Sequence, residues 1–215
     1  MSRVRDGISR IISHPTVFKI QTAVLGGNRL AAALQPIACH ATKGKPTGTV
    51  VDVGGGTASA RAFWPESWTY YSVDPDERCA ELESEDASIR RLVGDASNLA
   101  FRDGSVDVVL MKNVSHHLDD ETWPSALSEI SRVLDSDGYF VFVDALWSER
   151  RVVSRLAWLL DAGRYPRVSE RLEEDIAKSF DIESLERLTI VHHCIMVTCR
   201  QRANAAVQGP ERVDA

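Results

Sequence analysis

Apolar residues recur along this chain with two different periods, and the change from one to the other divides it. Between about residues 5 and 40 they fall at helical spacing, with Ile8, Ile11 and Ile12 and then Val17, Ile20 and Val24, broken at His14-Pro15 and Gly26-Gly27. Short helices are predicted there, followed by a turn-rich hinge, ATKGKPTG, from Ala41 to Gly48. Beyond the hinge, short apolar runs alternate with helical stretches. Thr49 to Val53, Thr69 to Val73, Ile89 to Val93, Val106 to Met111 and Tyr139 to Val143 are predicted strands, rich in Val, Tyr and Phe. Several are apolar on both faces, as buried parallel strands are.

Trp123, Ala126, Leu127, Ile130, Val133 and Leu134 form the packed face of a helix that DSDG, Asp135 to Gly138, should end. After the fifth strand an amphipathic helix is predicted over Glu149 to Ala162, with Val152, Leu156 and Leu159 inward and Arg150, Arg151 and Arg155 outward. A basic turn, GRYPR, and a charged helix over Arg171 to Phe180 follow, and Ile182 to Arg200 reads as two strands. Neither an internal repeat nor a low-complexity segment is present.

Strands alternating with helices predict an α/β fold, an open and mostly parallel sheet with helices on both sides. Such sheets bind ligands at the carboxyl ends of their strands, where the strand order reverses. The expected organisation is a helical cap over 1–47, a ligand-binding domain over 48–201 with a substrate-side insertion at 146–167, and a flexible tail over 202–215.

Composition narrows the function classes. With 215 residues, 44% of them hydrophobic, the chain suits one domain with modest attachments. A net charge of -6 and a pI near 5.5 give no attraction for a phosphate backbone or an anionic membrane, so neither partner is expected. No apolar run approaches the ~18 residues of a membrane span, and the N-terminus lacks the apolar core of a secretion signal. Cys39, Cys79, Cys194 and Cys199 are scattered without a CxxC pair, which argues against zinc and disulfides and fits a reducing cytoplasm.

Candidate chemistry starts at VVDVGGGTASA, Val50 to Ala60. Gly54, Gly55 and Gly56 follow a strand closed by Asp52, so the backbone can turn sharply and approach a ligand, with a helix N-terminus expected next. The second strand ends in YYSVDPD, placing Asp74 18 residues after Gly56, the spacing of a ribose-binding carboxylate. Capping of the next helix by Asp74-Pro75-Asp76 is the competing reading. The third strand ends in LVGDASNLAF, where Asp95 can accept from an exocyclic amino group and the Ala96 amide can donate to a ring nitrogen. Three acids closing three successive strands exceed what turn chemistry alone produces.

These motifs, VVDVGGGTA, SVDPD, GDASNLAF and SVDVVLMKNVSHHLDD, followed by EISRVLDSDGYFVFVD, resemble those of class I S-adenosylmethionine-dependent methyltransferases of the small-molecule type. The resemblance runs from Val50 to Asp144 and weakly to Arg200. It implies a Rossmann-like, seven-stranded sheet with an antiparallel last strand and Ile182 to Arg200 as the terminal hairpin. It implies S-adenosylmethionine as cofactor, with Asp52 and the Gly54, Gly55 and Gly56 backbone at the methionine end. Asp74 with Pro75 would serve the ribose, Asp95 with Ala96 the adenine, and the Asn113 carbonyl the methionine ammonium. The family carries a further glycine where this chain has Ala58.

Methyl transfer from a sulfonium is an in-line displacement, so a protein contributes alignment and, for a hydroxyl acceptor, a base. Ser115-His116-His117-Leu118 stands where strand four ends, and a neutral histidine can take such a proton. The resemblance implies that His116 faces the substrate and His117 packs inward; polar loop residues without a catalytic role are the alternative. No metal site is expected. His116, His117, Asp119 and Asp120 are neighbours that point apart, Asp119-Asp120-Glu121 reads as a helix start, and His192-His193-Cys194 alternates across a strand.

Trp147, Arg151, Trp158, Arg164, Tyr165 and Arg167 are the candidate walls for a flat or anionic small molecule, or the solvated face of a helix. The expected function is O-methylation of a small molecule. C- or N-methylation, a cofactor-binding module without turnover, and a nicotinamide-dependent oxidoreductase are the alternatives, the last having no need of the GDA or HHLDD segments.

Overall fold

The computed structural model describes residues 27–82, 86–147, 158, 163–189 and 193–202. The expected helices before residue 26, most of the helix expected over Glu149 to Ala162, Arg151, His192 and the tail beyond 202 lie outside the described residues.

Seven strands form one sheet in the order β3-β2-β1-β4-β5-β7-β6. They are β1 Thr49–Val53, β2 Thr69–Asp74, β3 Ile89–Val93, β4 Val106–Lys112, β5 Leu134–Leu146, β6 Phe180–Thr189 and β7 His193–Gln201. Pairings from β3 through β5 are parallel, and β7 runs antiparallel to both β5 and β6. The chain is thus a Rossmann-like α/β sheet with an antiparallel last strand. Its strand order reverses between β1 and β4, so their carboxyl ends flank a natural crevice.

Period-two alternation sends side chains to two packed faces. Val51, Val53, Val109, Met111, Phe140 and Phe142 face the helices Thr122–Val133 and Ser169–Ser179, which insert Trp123, Leu127, Ile130, Leu172 and Ile176. Val50, Tyr70, Val108, Leu110 and Val141 face the other way, against Leu34 and Ala38 of the helix Gly27–Ala41 and against Trp64 and Trp68. Central strands buried on both faces explain the near-continuous apolar runs in β1 and β4.

Two local differences have physical causes. DSDG ends the helix at Val133 but belongs to β5, as an irregularity in which the pairing Val106 to Leu134 is followed by Val108 to Tyr139. Behind the glycines no α-helix forms. The chain makes successive tight turns, Ala58 N–H to the Gly55 carbonyl and Arg61 N–H to the Ala58 carbonyl, into a 3₁₀ turn Arg61–Phe63. Ala58 has φ of 59°, a left-handed conformation that interrupts a right-handed helix.

Candidate active site

Three glycines follow β1, and each is bare for a different reason. Gly54 has φ of +68°, and a Cβ there would collide with Val114 Cγ2, on the loop after β4. At Gly55 a Cβ would lie 2.5 Å from Ser72 Oγ and 2.9 Å from Asp52 Oδ2. Gly56 has space but φ of +51°. Their N–H groups are already engaged: those of Gly54 and Gly55 donate to the Val73 carbonyl at 2.7 and 3.3 Å, and that of Gly56 to Asp74 Oδ2 at 3.1 Å. What the loop offers a ligand is close approach, with its own amides fixing its shape.

Asp52 lies on the face of β1 that also carries Val50, and it is 1% exposed. Tyr70 donates its hydroxyl hydrogen to Asp52 Oδ2, while Oδ1 is buried without a hydrogen bond among the described residues. Burial pushes the carboxyl up to about 6, against the opposing pull of Lys112 and the Tyr70 hydrogen bond. A buried carboxylate oxygen lacking a donor is an acceptor awaiting a cationic or N–H partner.

Asp74 and Asp76 divide the two roles read for the DPD segment. Asp76 caps the short helix Glu77–Ala80 by accepting from Arg78 N–H, and Asp74 binds the Gly56 and Asp76 amides. Exposed Asp95 accepts from the amide and hydroxyl of Ser97 at 2.8 and 2.6 Å, a local turn beside buried Ala96. Val93, just before this turn, is 56% exposed. Asn113 ends β4 with φ of 57° and donates its N–H to the Val143 carbonyl. Parallel pairing thus sets the ends bearing Asp95, Asp74, Gly54 and Asn113 side by side.

Ser115–His117 forms a 3₁₀ turn above the end of β5. There Asp144, fully buried, gathers it: Oδ2 accepts from the Ser115 amide at 2.8 Å and its hydroxyl at 2.6 Å, and Oδ1 lies 2.6 Å from His116 Nδ1. Burial alone would raise the Asp144 carboxyl, but His116 and the hydrogen bonds from His116, Ser115 and Ala145 together hold it below the usual range. His117 does not pack inward as expected. His116 is 3% exposed and His117 is exposed, because a 3₁₀ turn rotates successive side chains apart and Asp144 captures the first ring. The two rings lie 4.4 Å apart between centroids, and Trp158 meets His116 edge-on at 5.1 Å.

A strap crosses this turn. Arg164 and Tyr165 both donate backbone N–H groups to the His116 carbonyl, at 3.0 and 2.9 Å. Arg167, buried, donates to the carbonyls of Ser115, Leu118 and Asp119 and to Asp120, and its guanidinium lies over Trp123. Arg167 therefore builds the wall from behind; Tyr165 is exposed, and the Trp147 ring lies tilted beside Trp158, 6.3 Å between centroids. Asp119 accepts from Thr122 N–H at the helix start, and Asp120 pairs with Arg167 and Arg171. No cluster of three or more potential metal ligands occurs among the described residues.

Residues 51–142 match the family model described as a methyltransferase domain. Together with the strand order and the acids at the strand ends, this match supports a class I S-adenosylmethionine-dependent methyltransferase domain over that segment. Among curated relatives, the uncharacterized methyltransferase YcgJ of Bacillus subtilis (strain 168) is 32% identical over 124 residues, 54% of this chain and 48% of that protein. The chain spans about half the length of the curated relatives it matches. Protein PH0226 of Pyrococcus horikoshii OT3 superposes with a TM-score of 0.68 at 17% identity, over 81% of this chain and 91% of that one. Geranyl diphosphate C-methyltransferase of Streptomyces coelicolor A3(2), solved with Mg2+, geranyl diphosphate and S-adenosyl-L-homocysteine, superposes at 0.63 and 14% identity, over 81% and 82%. Such distant likenesses establish the fold.

Proposed function

We propose that this protein moves a methyl group from S-adenosylmethionine to a hydroxyl of a small molecule, with His116 as general base and Asp144 as its orienting partner. The observation that carries the reading is the 2.6 Å contact between His116 Nδ1 and Asp144 Oδ1. An ionised Asp144 holds the proton on Nδ1 and leaves Nε2 as the basic nitrogen, the arrangement in which a histidine can take a proton from an acceptor hydroxyl. The rings of Trp158 and His117 lie beside it and give a small acceptor an aromatic setting.

The residues fit the cofactor. Asp52 Oδ1, buried and without a donor, suits the methionine ammonium; the bare Gly54 to Gly56 backbone admits the chain; Asp74 with Pro75 suits the ribose. Asp95, the Ala96 amide and exposed Val93 suit the adenine, and the Asn113 carbonyl adds to the ammonium site. When bound, the cofactor supplies an electrophilic methyl on a sulfonium. The protein's own work is alignment, exclusion of water beneath the strap, and removal of the acceptor proton.

A small-molecule acceptor accords with the Streptomyces relative, which acts on geranyl diphosphate. No described helix is long and apolar enough to cross a membrane, and no disulfide joins the four cysteines, which suits the cytoplasm. Incubation with methyl-labelled S-adenosylmethionine and a panel of small hydroxylated compounds tests the reading. His116→Gln should retain S-adenosylhomocysteine binding and lose methylation; unchanged methylation would remove His116 from the mechanism.

A further inference from the structure

The glycine loop lies over a polar row that crosses three strands. Asp52 of β1 pairs in register with Ser72 of β2, and Ser72 with Arg91 of β3. Alternation places all three on the face that also carries Val50, Tyr70 and Ile89. Two of them meet the loop at Gly55, whose missing Cβ makes room for Ser72 and Asp52. Arg91 takes the next residues: Nη1 donates to the Gly56 carbonyl at 3.0 Å and Nη2 to the Thr57 carbonyl at 3.4 Å.

The Gly56 residue is therefore fastened at both ends, its N–H to Asp74 Oδ2 and its carbonyl to Arg91. Two residues later stands Ala58, buried and at φ of 59°. A non-glycine residue there is strained, and a contact from outside the turn would help to hold it. Arg91 is the side chain in position to do so, because a planar guanidinium can hold two successive carbonyls in fixed relation. Asp52 Oδ1, Thr57 Oγ1 and Arg91 Nε are all buried without a hydrogen bond among the described residues, which concentrates unmet polar capacity at this loop.

We propose that Arg91 is a positioning residue for the cofactor loop: it holds the Gly56 and Thr57 carbonyls, keeps the Gly56 amide on Asp74, and sustains the left-handed turn at Ala58. The inference rests on the loop being the S-adenosylmethionine site. Its test is a double-mutant cycle between Arg91→Met and Ala58→Gly, read by S-adenosylhomocysteine titration and by urea unfolding without ligand.

Loss of two charge-assisted hydrogen bonds should weaken binding about tenfold in Arg91→Met. Arg91→Lys, able to reach one carbonyl, should recover part of it. In the Ala58→Gly background the loss should shrink to about threefold, because glycine holds the turn unaided. Equal losses in both backgrounds, or unchanged affinity in Arg91→Met, would overturn the proposal. If the parent binds no S-adenosylhomocysteine, the cofactor reading fails, and unfolding still decides the role of Arg91: non-additive midpoints support it, additive ones refute it.

Discussion

His116 and Asp144 meet at 2.6 Å through Nδ1 and Oδ1, while the other carboxylate oxygen takes both donors of Ser115. One buried acid thus fixes the ring and the turn that carries it. Asp144→Asn keeps the shape but replaces an acceptor by an amide, which unsettles the proton on Nδ1. Turnover should fall by roughly 10²-fold with S-adenosylhomocysteine affinity unchanged, since general-base assistance is worth about 10²–10⁴. Titration calorimetry beside a methylation assay separates the two effects. A carboxyl held below its ordinary 3.8 contributes stability above that value and loses it as pH falls through its lowered folded value, so parent and variant should converge in acid.

Asp52 has the opposite sign. Its carboxyl is raised from 3.8 to about 6, chiefly by burial, so the unfolded chain ionises first as pH rises. The unliganded protein should lose on the order of 3 kcal/mol between about pH 4 and 6 from this group, and Asp52→Asn should remove that slope. A ligand ammonium favours the ionised form. Cofactor affinity should therefore rise as pH passes upward through about 6, and level off above it. A flat affinity profile from pH 5 to 8 would detach Asp52 from the ammonium.

Gly54 and Val114 couple the two loops of the site. Gly54→Ala combines a positive φ with a collision against Val114 and should destabilise the fold by about 2–4 kcal/mol, read by urea unfolding. Adding Val114→Ala should return the steric part and leave the conformational part. Full rescue would mean that the left-handed turn costs nothing there.

Arg167 fastens the strap to the His116 turn through the carbonyls of Ser115, Leu118 and Asp119. Arg167→Lys retains the charge but not the fork, and should destabilise by about 2–3 kcal/mol as buried carbonyls lose donors. The turnover number should fall further than cofactor affinity, because the guanidinium supports the histidine turn rather than the glycine loop.

Much of this fold is legible in the chain. Strand runs that are apolar on both faces announce a parallel sheet, and the order of strands and helices announces the crevice. Asp52, Asp74 and Asp95 are equally legible, because an acid closing a strand is a local signal. Asp144 closes β5 in the same way, but its meeting with His116, 28 residues away, depends on how β4 and β5 are placed in the sheet. Arg91 is hidden for the same reason: its contact with Gly56 spans 35 residues and follows from strand register. The orientations of His116 and His117 depend on which ring Asp144 captures, which spacing alone does not encode. The missing α-helix behind the glycines had no such signal, because alanine favours a helix and the left-handed turn at Ala58 shows only in the folded chain.

The decisive measurement is titration of S-adenosylhomocysteine into the parent protein and into Asp74→Ala, about 1.5 pH units above the Asp52 transition. One site with a dissociation constant of roughly 1–50 µM is expected in the parent, within the range usual for enzyme ligands, and at least about tenfold weaker binding in Asp74→Ala. No heat in the parent at about 100 µM, or equal affinity in both proteins, would contradict it.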